Sequence, residues 1–268
     1  MPEYQLGVVG AGNMAEALLR GVIKANFLPH DAVVASDCDL GRRQLLTKDL
    51  NIDCVQENTI AGACKRVVLA VKPQVMPKVL DEIAPVVRTD ALVVTIAAGI
   101  TTSLLDEKLG GKGRLVRVMP NTPMLVGAGI SAVASGPRAT GDDVKWTRSL
   151  LGASGKTVEV SEDMMDAVTA VSGSGPAYFF YLIEAIVAAG VADGLDPDVA
   201  FELAKETCAG AAKLLIETGE APQVLRARVT SPGGTTQRAI ETLDADGVKD
   251  ILIRAVRAAT QRGRELGR

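Results

Sequence analysis

The sequence predicts an α/β chain in two parts: a doubly wound parallel sheet over residues 1–160, then an all-helical part over residues 161–268. Three observations carry that prediction. Short apolar runs of strand type alternate with helical patterns through the first part, as in parallel sheets covered by helices. The first run leads straight into a glycine-rich turn, Gly10-Ala11-Gly12, and then into an apolar helical face. After Ser161 only helical periodicity remains.

Composition narrows the classes. The 268 residues suffice for two ordinary domains, and the 47% apolar share suffices for cores that must be aliphatic, because aromatics are only 3%. A net charge of −3 with scattered Lys and Arg gives no basis for nucleic-acid binding. Cys38, Cys54, Cys64 and Cys208 show no C-x-x-C spacing; with the lone His30 they make neither a metal site nor a disulfide framework. No basic region followed by an apolar core opens the chain, so no secretory signal is read. The most apolar stretch, residues 177–192, is too short for a comfortable membrane span and contains Glu184. The expectation is a soluble cytoplasmic protein with reduced thiols and no metal, membrane or nucleic-acid partner.

Residues 4–9 form the first strand-like run. Gly10-Ala11-Gly12-Asn13-Met14-Ala15 follows, and Ala17, Leu18, Leu19, Val22 and Ile23 then make one helix face. Strand, turn and helix in that order give the G-x-G-x-x-G/A dinucleotide fingerprint its required context. Gly10 suits the tight turn, Gly12 the approach of a pyrophosphate, and Ala15 close helix–strand packing.

Residues 32–36 read as a strand and 40–50 as a helix. Asp37, about 20 residues beyond the fingerprint, stands where an acidic side chain binds the ribose hydroxyls of NAD. Arg42 and Arg43 could instead grip a 2′-phosphate. A third reading makes Asp37 a helix cap together with Asp39. The sequence leaves these open.

Residues 67–71 form a continuous apolar run ending in Lys72-Pro73, at the strand end where doubly wound sheets bind ligands. Lys72 meets phosphate or substrate charge there, or is simply solvated. Residues 92–96 repeat the pattern and run into the small residues Ala97-Ala98-Gly99, which admit a flat ring or ribose. Residues 114–119 make another strand, closed by the rigid Pro120-Asn121-Thr122-Pro123. Strands at 129–134 and 157–160 flank a helix at 142–151.

Beyond Ser161, residues 163–171 look helical. Ser172-Gly173-Ser174-Gly175-Pro176 then opens a helix that is apolar nearly all round to Ala192. Such a helix must be covered on every side, and a partner subunit is the natural cover. A helix from Asp196-Pro197 to about Thr218, stopped by Gly219, carries the small residues Ala204, Cys208, Ala211 and Ala212 on one face. A short helix near Pro222 leads to Ser231-Pro232-Gly233-Gly234-Thr235-Thr236, where Ser231 can cap and consecutive amides can bind an anion. A last helix spans residues 248–262.

With both glycine-rich loops in view, the chain resembles the 1-pyrroline-5-carboxylate reductases over essentially its full length. The likeness rests on Gly10 to Ala15, Ala70-Val71-Lys72-Pro73, Ala97-Ala98-Gly99, Met119-Pro120-Asn121-Thr122-Pro123, Ser172 to Tyr178, and above all Ser231 to Thr236. The resemblance implies a Rossmann-like domain followed by a helical dimerisation domain. It further implies reduction of 1-pyrroline-5-carboxylate to L-proline, the last step of proline biosynthesis, by hydride from NADPH or NADH. By it Gly10, Ala11, Gly12, Asn13, Met14 and Ala15, with Asn58, Lys72, Ala97, Ala98 and Gly99, line the cofactor; Ser36, Asp37, Ala70, Val71, Pro73 and Asn121, at the strand ends and loops beside them, complete the expected cofactor site. It assigns the substrate carboxylate to Ser231, Gly233, Gly234, Thr235 and Thr236, with the Thr236 hydroxyl near the ring nitrogen; Lys72, by its place at the strand end, is expected to be the second catalytic residue. It also implies homodimers, stacked in relatives into rings such as a decamer. Two departures stand out. Asp37 occupies a place where NADPH-preferring relatives carry small hydroxyl residues, and Arg226-Ala227-Arg228 replaces a Lys-Asp pair.

Two rival classes lack support in the residues. A hydroxy-acid dehydrogenase needs a base, but His30 lies before the second strand and the helix after Pro176 has no lysine before Lys205. A non-catalytic nucleotide sensor would have little use for an intact Ser231 to Thr236 loop.

Overall fold

The computed structural model describes residues 4–267. In chain order, β1 (Leu6–Val9), α1 (Asn13–Lys24), β2 (Val33–Ser36), α2 (Leu40–Leu50) and β3 (Asp53–Val55) form the first half of the sheet layer. The layer continues through α3 (Asn58–Gly62), β4 (Arg66–Leu69), α4 (Met76–Ile83), β5 (Leu92–Thr95), α5 (Thr102–Lys108) and β6 (Arg114–Met119). It closes with β7 (Gly129–Ser135), α6 (Gly141–Gly152) and β8 (Gly155–Glu159). The sheet order is β3-β2-β1-β4-β5-β6-β7-β8, parallel except where β7 runs antiparallel to β6. The chain reverses its direction of travel between β1 and β4, so a crevice opens beyond the carboxyl ends of those two strands.

Both sheet faces are buried, which is why the strands read as unbroken apolar runs. Leu6 and Val8 point into one core with Leu18, Leu19, Leu46 and Leu150. Val9 points into the other with Ala61, Met76, Leu80 and Leu105. Gly7 lets α3 lie directly on β1, since a Cβ there would stand 1.9 Å from the Ala61 carbonyl oxygen.

The elements missing from the sequence prediction are all short. β3 has three residues, the first of them exposed, on the sheet edge. The five residues of α3 are too few for a helical period to show. In α4, Met76, Val79, Leu80 and Ile83 do make a buried helical face, but Pro73 and Pro77 obscure its start.

The chain divides into two compact units, Met1–Ser174 with Ala259–Arg268, and Gly175–Ala258. This differs from the break expected at residue 160. The reason is packing: Met165 of α7 (Met165–Val168) is fully buried against Ala132 and Ala134 of β7. The buried Arg117 also approaches Glu162 (3.4 Å) and Asp166 (4.0 Å), so this segment belongs to the sheet unit. A π-helical turn, Thr169–Gly173, follows α7.

The second unit holds α8 (Gly175–Ala192), α9 (Pro197–Thr218), α10 (Pro222–Arg228), α11 (Thr235–Ala245) and most of α12 (Val248–Leu266). Asp196 caps α9 and Gly219 ends it in the left-handed conformation, as the sequence indicates. α12 runs four residues past the predicted end at Arg262; its Gly263 sits close against Asp166. One estimate needs correcting. Helical turns from Glu162 join α8 into a 31-residue run that is long and apolar enough to cross a membrane, by length and composition only. In α8 only Gly175 is buried, and Phe179, Phe180 and Tyr181 are 59%, 61% and 74% exposed. The small-residue face of α9 does not close on α8 throughout. It lines an apolar groove of about 720 Å³ with Phe179, Leu182 and Ile186.

Arg114 clamps Asp143 with two bonds of 2.8 and 3.0 Å, and Asp143 also forms a reciprocal capping box with Thr140 at the start of α6. Burial alone would raise the Asp143 carboxyl, but the bonds from Arg114 and Thr140 outweigh it and hold it below the usual range. A lowered folded value contributes stability that is complete above the unfolded pKa, near 4, and is lost as pH falls through the folded value. Asp143→Asn should cost about 1.5–3 kcal/mol at neutral pH, the range for hydrogen bonds to a charged group. In denaturant titrations the gap from wild type should shrink only below about pH 4.

Candidate active site

At the carboxyl end of β1, Gly10 adopts φ +97°, and a Cβ there would stand 2.9 Å from the Ala70 and Val71 backbone. Only glycine fits that turn. Gly12, the N-cap of α1, differs. A Cβ there would meet nothing within 4 Å, and no side chain caps the helix. The positive end of the α1 dipole thus opens onto free space, as an anion site needs.

The peptide at Ala11 is held from both sides. Its N–H donates to Asp37 Oδ2 at 2.7 Å, and its carbonyl accepts from Arg42 Nε at 2.6 Å. Asp37 Oδ1 accepts the Asp39 N–H at 2.9 Å. Asp39, not Asp37, caps α2 by accepting the Arg42 N–H, so the capping alternative for Asp37 falls. Arg42 also donates to Glu16 at 2.7 Å. Burial would raise the Glu16 carboxyl, yet the bonds from Arg42 and Arg20 hold it low. Arg43 donates to the carbonyls of Asp37 (2.8 Å) and Cys38 (3.0 Å).

Two adjoining clefts run along this edge of the sheet and share Gly12, Ala70, Val71 and Lys72. The first, about 530 Å³, adds Gly10, Ser36, Asp37 and Asn58. Here Ser36 Oγ donates to Asn58 Oδ1 (2.9 Å), and Asn58 Nδ2 donates to Glu82 Oε2 (3.0 Å). The second, about 550 Å³, adds Asn13, Met14, Pro73, Ala97, Ala98 and Asn121. Asn121 Oδ1 accepts the Ile130 N–H at 2.9 Å, which fixes the start of β7. In size and lining, the pair suits an extended dinucleotide, with its charged middle over Gly12.

Three of the residues expected to bind the cofactor do not line either cleft. Ala11 and Ala15 are fully buried and shape the loop by packing. Gly99, at φ +75°, faces the Leu266 backbone near 3.5 Å. Gln56, Lys78 and Glu82 do line the first cleft and were missed. Lys78 and Glu82 stand four apart on α4, a same-face signal that becomes visible once that helix is recognised.

In the second unit, Gly233 takes φ +71° and its N–H donates to Gln237 Oε1 at 2.7 Å. The N-cap of α11 is Gly234, whose N–H donates to the Ser231 carbonyl at 3.0 Å. The Ser231 side chain therefore does not cap, contrary to the expectation. No side chain caps α11 beyond that bond from Gln237 to the preceding turn, and Thr236 is half-buried in its first turn. Arg228, in the run that departs from the resemblance, pairs with Glu220. Among the described residues no group of three or more His, Cys, Asp or Glu could hold a metal ion.

Residues 162–266 match the pyrroline-5-carboxylate reductase dimerisation family, and residues 5–99 match the family described as NADP oxidoreductase, coenzyme F420-dependent. The pyrroline-5-carboxylate reductase of Arabidopsis thaliana is 40% identical, covering 98% of this chain and 95% of that protein. The chain belongs to the pyrroline-5-carboxylate reductase family. The Methanosarcina acetivorans reductase is 39% identical over the whole of both chains. The solved pyrroline-5-carboxylate reductase from Coxiella burnetii superposes with a TM-score of 0.92 at 34% identity, covering 99% of each chain. The Plasmodium falciparum pyrroline carboxylate reductase, solved with NADP bound, gives 0.88 at 30% over the whole of both.

The open space at Gly12 separates binding from folding. Gly12→Ala should leave stability within about 0.5 kcal/mol of wild type, yet weaken dinucleotide binding at least about tenfold. Thermal melting and calorimetric titration check the two halves.

Proposed function

We propose that this chain reduces 1-pyrroline-5-carboxylate to L-proline, the last step of proline biosynthesis, with NADPH or NADH. The observation that carries it is the full-length kinship combined with an open, uncapped α1 terminus at the crevice of a doubly wound sheet. The NADP in the Plasmodium relative supports the cofactor class. We assign the cofactor to the two clefts, with Gly10, Gly12, Asn13 and Met14 at the phosphates, Ser36, Asp37 and Asn58 at the adenosine end, and Ala97, Ala98 and Asn121 at the nicotinamide end. Ala70, Val71 and Pro73 floor the passage between them.

A protonated cyclic imine is already electrophilic, so the protein needs no strong acid or base. The cofactor supplies the hydride when bound. The chain's own task is to hold the imine carboxylate and nitrogen in register, and proximity then does most of the work. Ser231, Gly233 and Gly234 shape the turn, their bonds to Gln237 and to one another holding it, and the α11 start at Thr235 and Thr236 faces the carboxylate. Thr236 steadies the imine N–H through its hydroxyl. Lys72 places a positive charge where phosphate or substrate negative charge gathers.

The exposed apolar faces of α8 and α9 fit a second copy of the chain better than lipid, because the dimerisation-family match spans them. The four cysteines are all free, which suits a reducing cytoplasm.

An assay of NADPH and NADH oxidation with 1-pyrroline-5-carboxylate tests the activity; dinucleotide binding without turnover on that imine would end the proposal. Thr236→Val should lower kcat/KM by the equivalent of about 1–3 kcal/mol, the range for one buried hydrogen bond. Unchanged kinetics would reduce Thr236 to a helix-start residue. Light scattering should return at least a dimer, formed through residues 174–220, and a monomeric mass at working concentration would refute that interface.

A further inference from the structure

We propose that Asp37 makes this chain select NADH over NADPH, an inference that rests on reading the first cleft as the adenosine site. The Asp37 carboxylate lines that cleft and is fixed by two backbone amides, Ala11 N–H on one oxygen and Asp39 N–H on the other. A carboxylate has about four lone-pair positions, so each oxygen keeps one for a further donor. The 2′- and 3′-hydroxyls of an unmodified adenosine ribose are such donors. A 2′-phosphate is not: at neutral pH it offers acceptor oxygens only and sets one negative charge against another.

NADPH would need a cation at that point, and the two arginines that follow Asp37 already hold other acceptors, Arg42 through Nε and Nη2 and Arg43 through Nη1. Arg42 spans the Ala11 carbonyl and the Glu16 carboxylate. Arg43 lies on the Asp37 and Cys38 carbonyls. Turning either toward a phosphate would break two hydrogen bonds, and moving Arg42 would also release the glycine-rich loop. Glu82, joined to Ser36 through Asn58, adds a second carboxylate to the same cleft. Two lysines share it. Lys72 lines both clefts, together with Gly12, and so sits where they join, at the pyrophosphate position of the proposed site. Lys78, on α4, is the rival anchor for a 2′-phosphate.

Calorimetric titration of the full-length protein with NAD⁺ and NADP⁺ reads this without turnover. NAD⁺ should bind at least about tenfold tighter, and Asp37→Ser should move the ratio of the two constants at least about tenfold toward NADP⁺. The ratio is the readout because Asp37→Ser also loosens the loop for both nucleotides alike. Arg43→Ala and Lys78→Ala should leave the ratio unchanged. A wild-type preference for NADP⁺, a ratio indifferent to Asp37→Ser, or a selective loss of NADP⁺ in either cation variant would overturn the proposal while leaving the dinucleotide site standing. Binding of neither nucleotide would overturn that site as well.

Discussion

The site depends on how one peptide is held. Ala11 has no room to move: its N–H is spent on Asp37 and its carbonyl on Arg42, which is itself anchored on Glu16. These bonds tie the ends of β1 and β2 and the starts of α1 and α2 into one network. With Ala11 fixed, Gly10 is forced into its left-handed turn and Gly12 presents bare backbone. The open, uncapped start of α1 is therefore fixed in place by the protein's own bonds, and a site built this way loses little to ordering on binding.

The same economy explains what could be read from the sequence. Fingerprint, strand runs and two-part division were legible because they rest on local chemistry: glycine where backbone must turn or lie bare, unbroken apolar runs where both faces are covered. Asp37 was legible as a position but not as a role, because whether it caps a helix or faces a ribose depends on Asp39 and on the register of β2 beside β1. Glu82 and Lys78 were missed since their helix hides behind two prolines, and a residue cannot be placed in a cleft from an unrecognised element. Ser231 was misread for a different reason. Serine is a favoured cap in general, but the turn here puts Gly234 at the helix boundary, and Gln237 reaches back to occupy the Gly233 amide. The sheet unit runs past residue 160 because Arg117 faces Glu162 and Asp166, a long-range pairing that no local pattern reveals.

The two units bury their apolar residues very differently. In the sheet unit the helix faces meet strands, and most large apolar side chains vanish from the surface. In the second unit α8 keeps one residue buried, and aromatic side chains that elsewhere would form a core face outward. Contiguous exposure of that kind marks an interaction surface. It follows from sequence directly: a helix that is apolar on every side cannot be satisfied by one neighbouring helix.

That unfinished face has a thermodynamic consequence. When a helix completes its core only against another molecule, association and folding share a single free-energy balance. Where a second copy covers that face, as proposed above, the melting temperature of the helical unit rises with each tenfold increase in protein concentration.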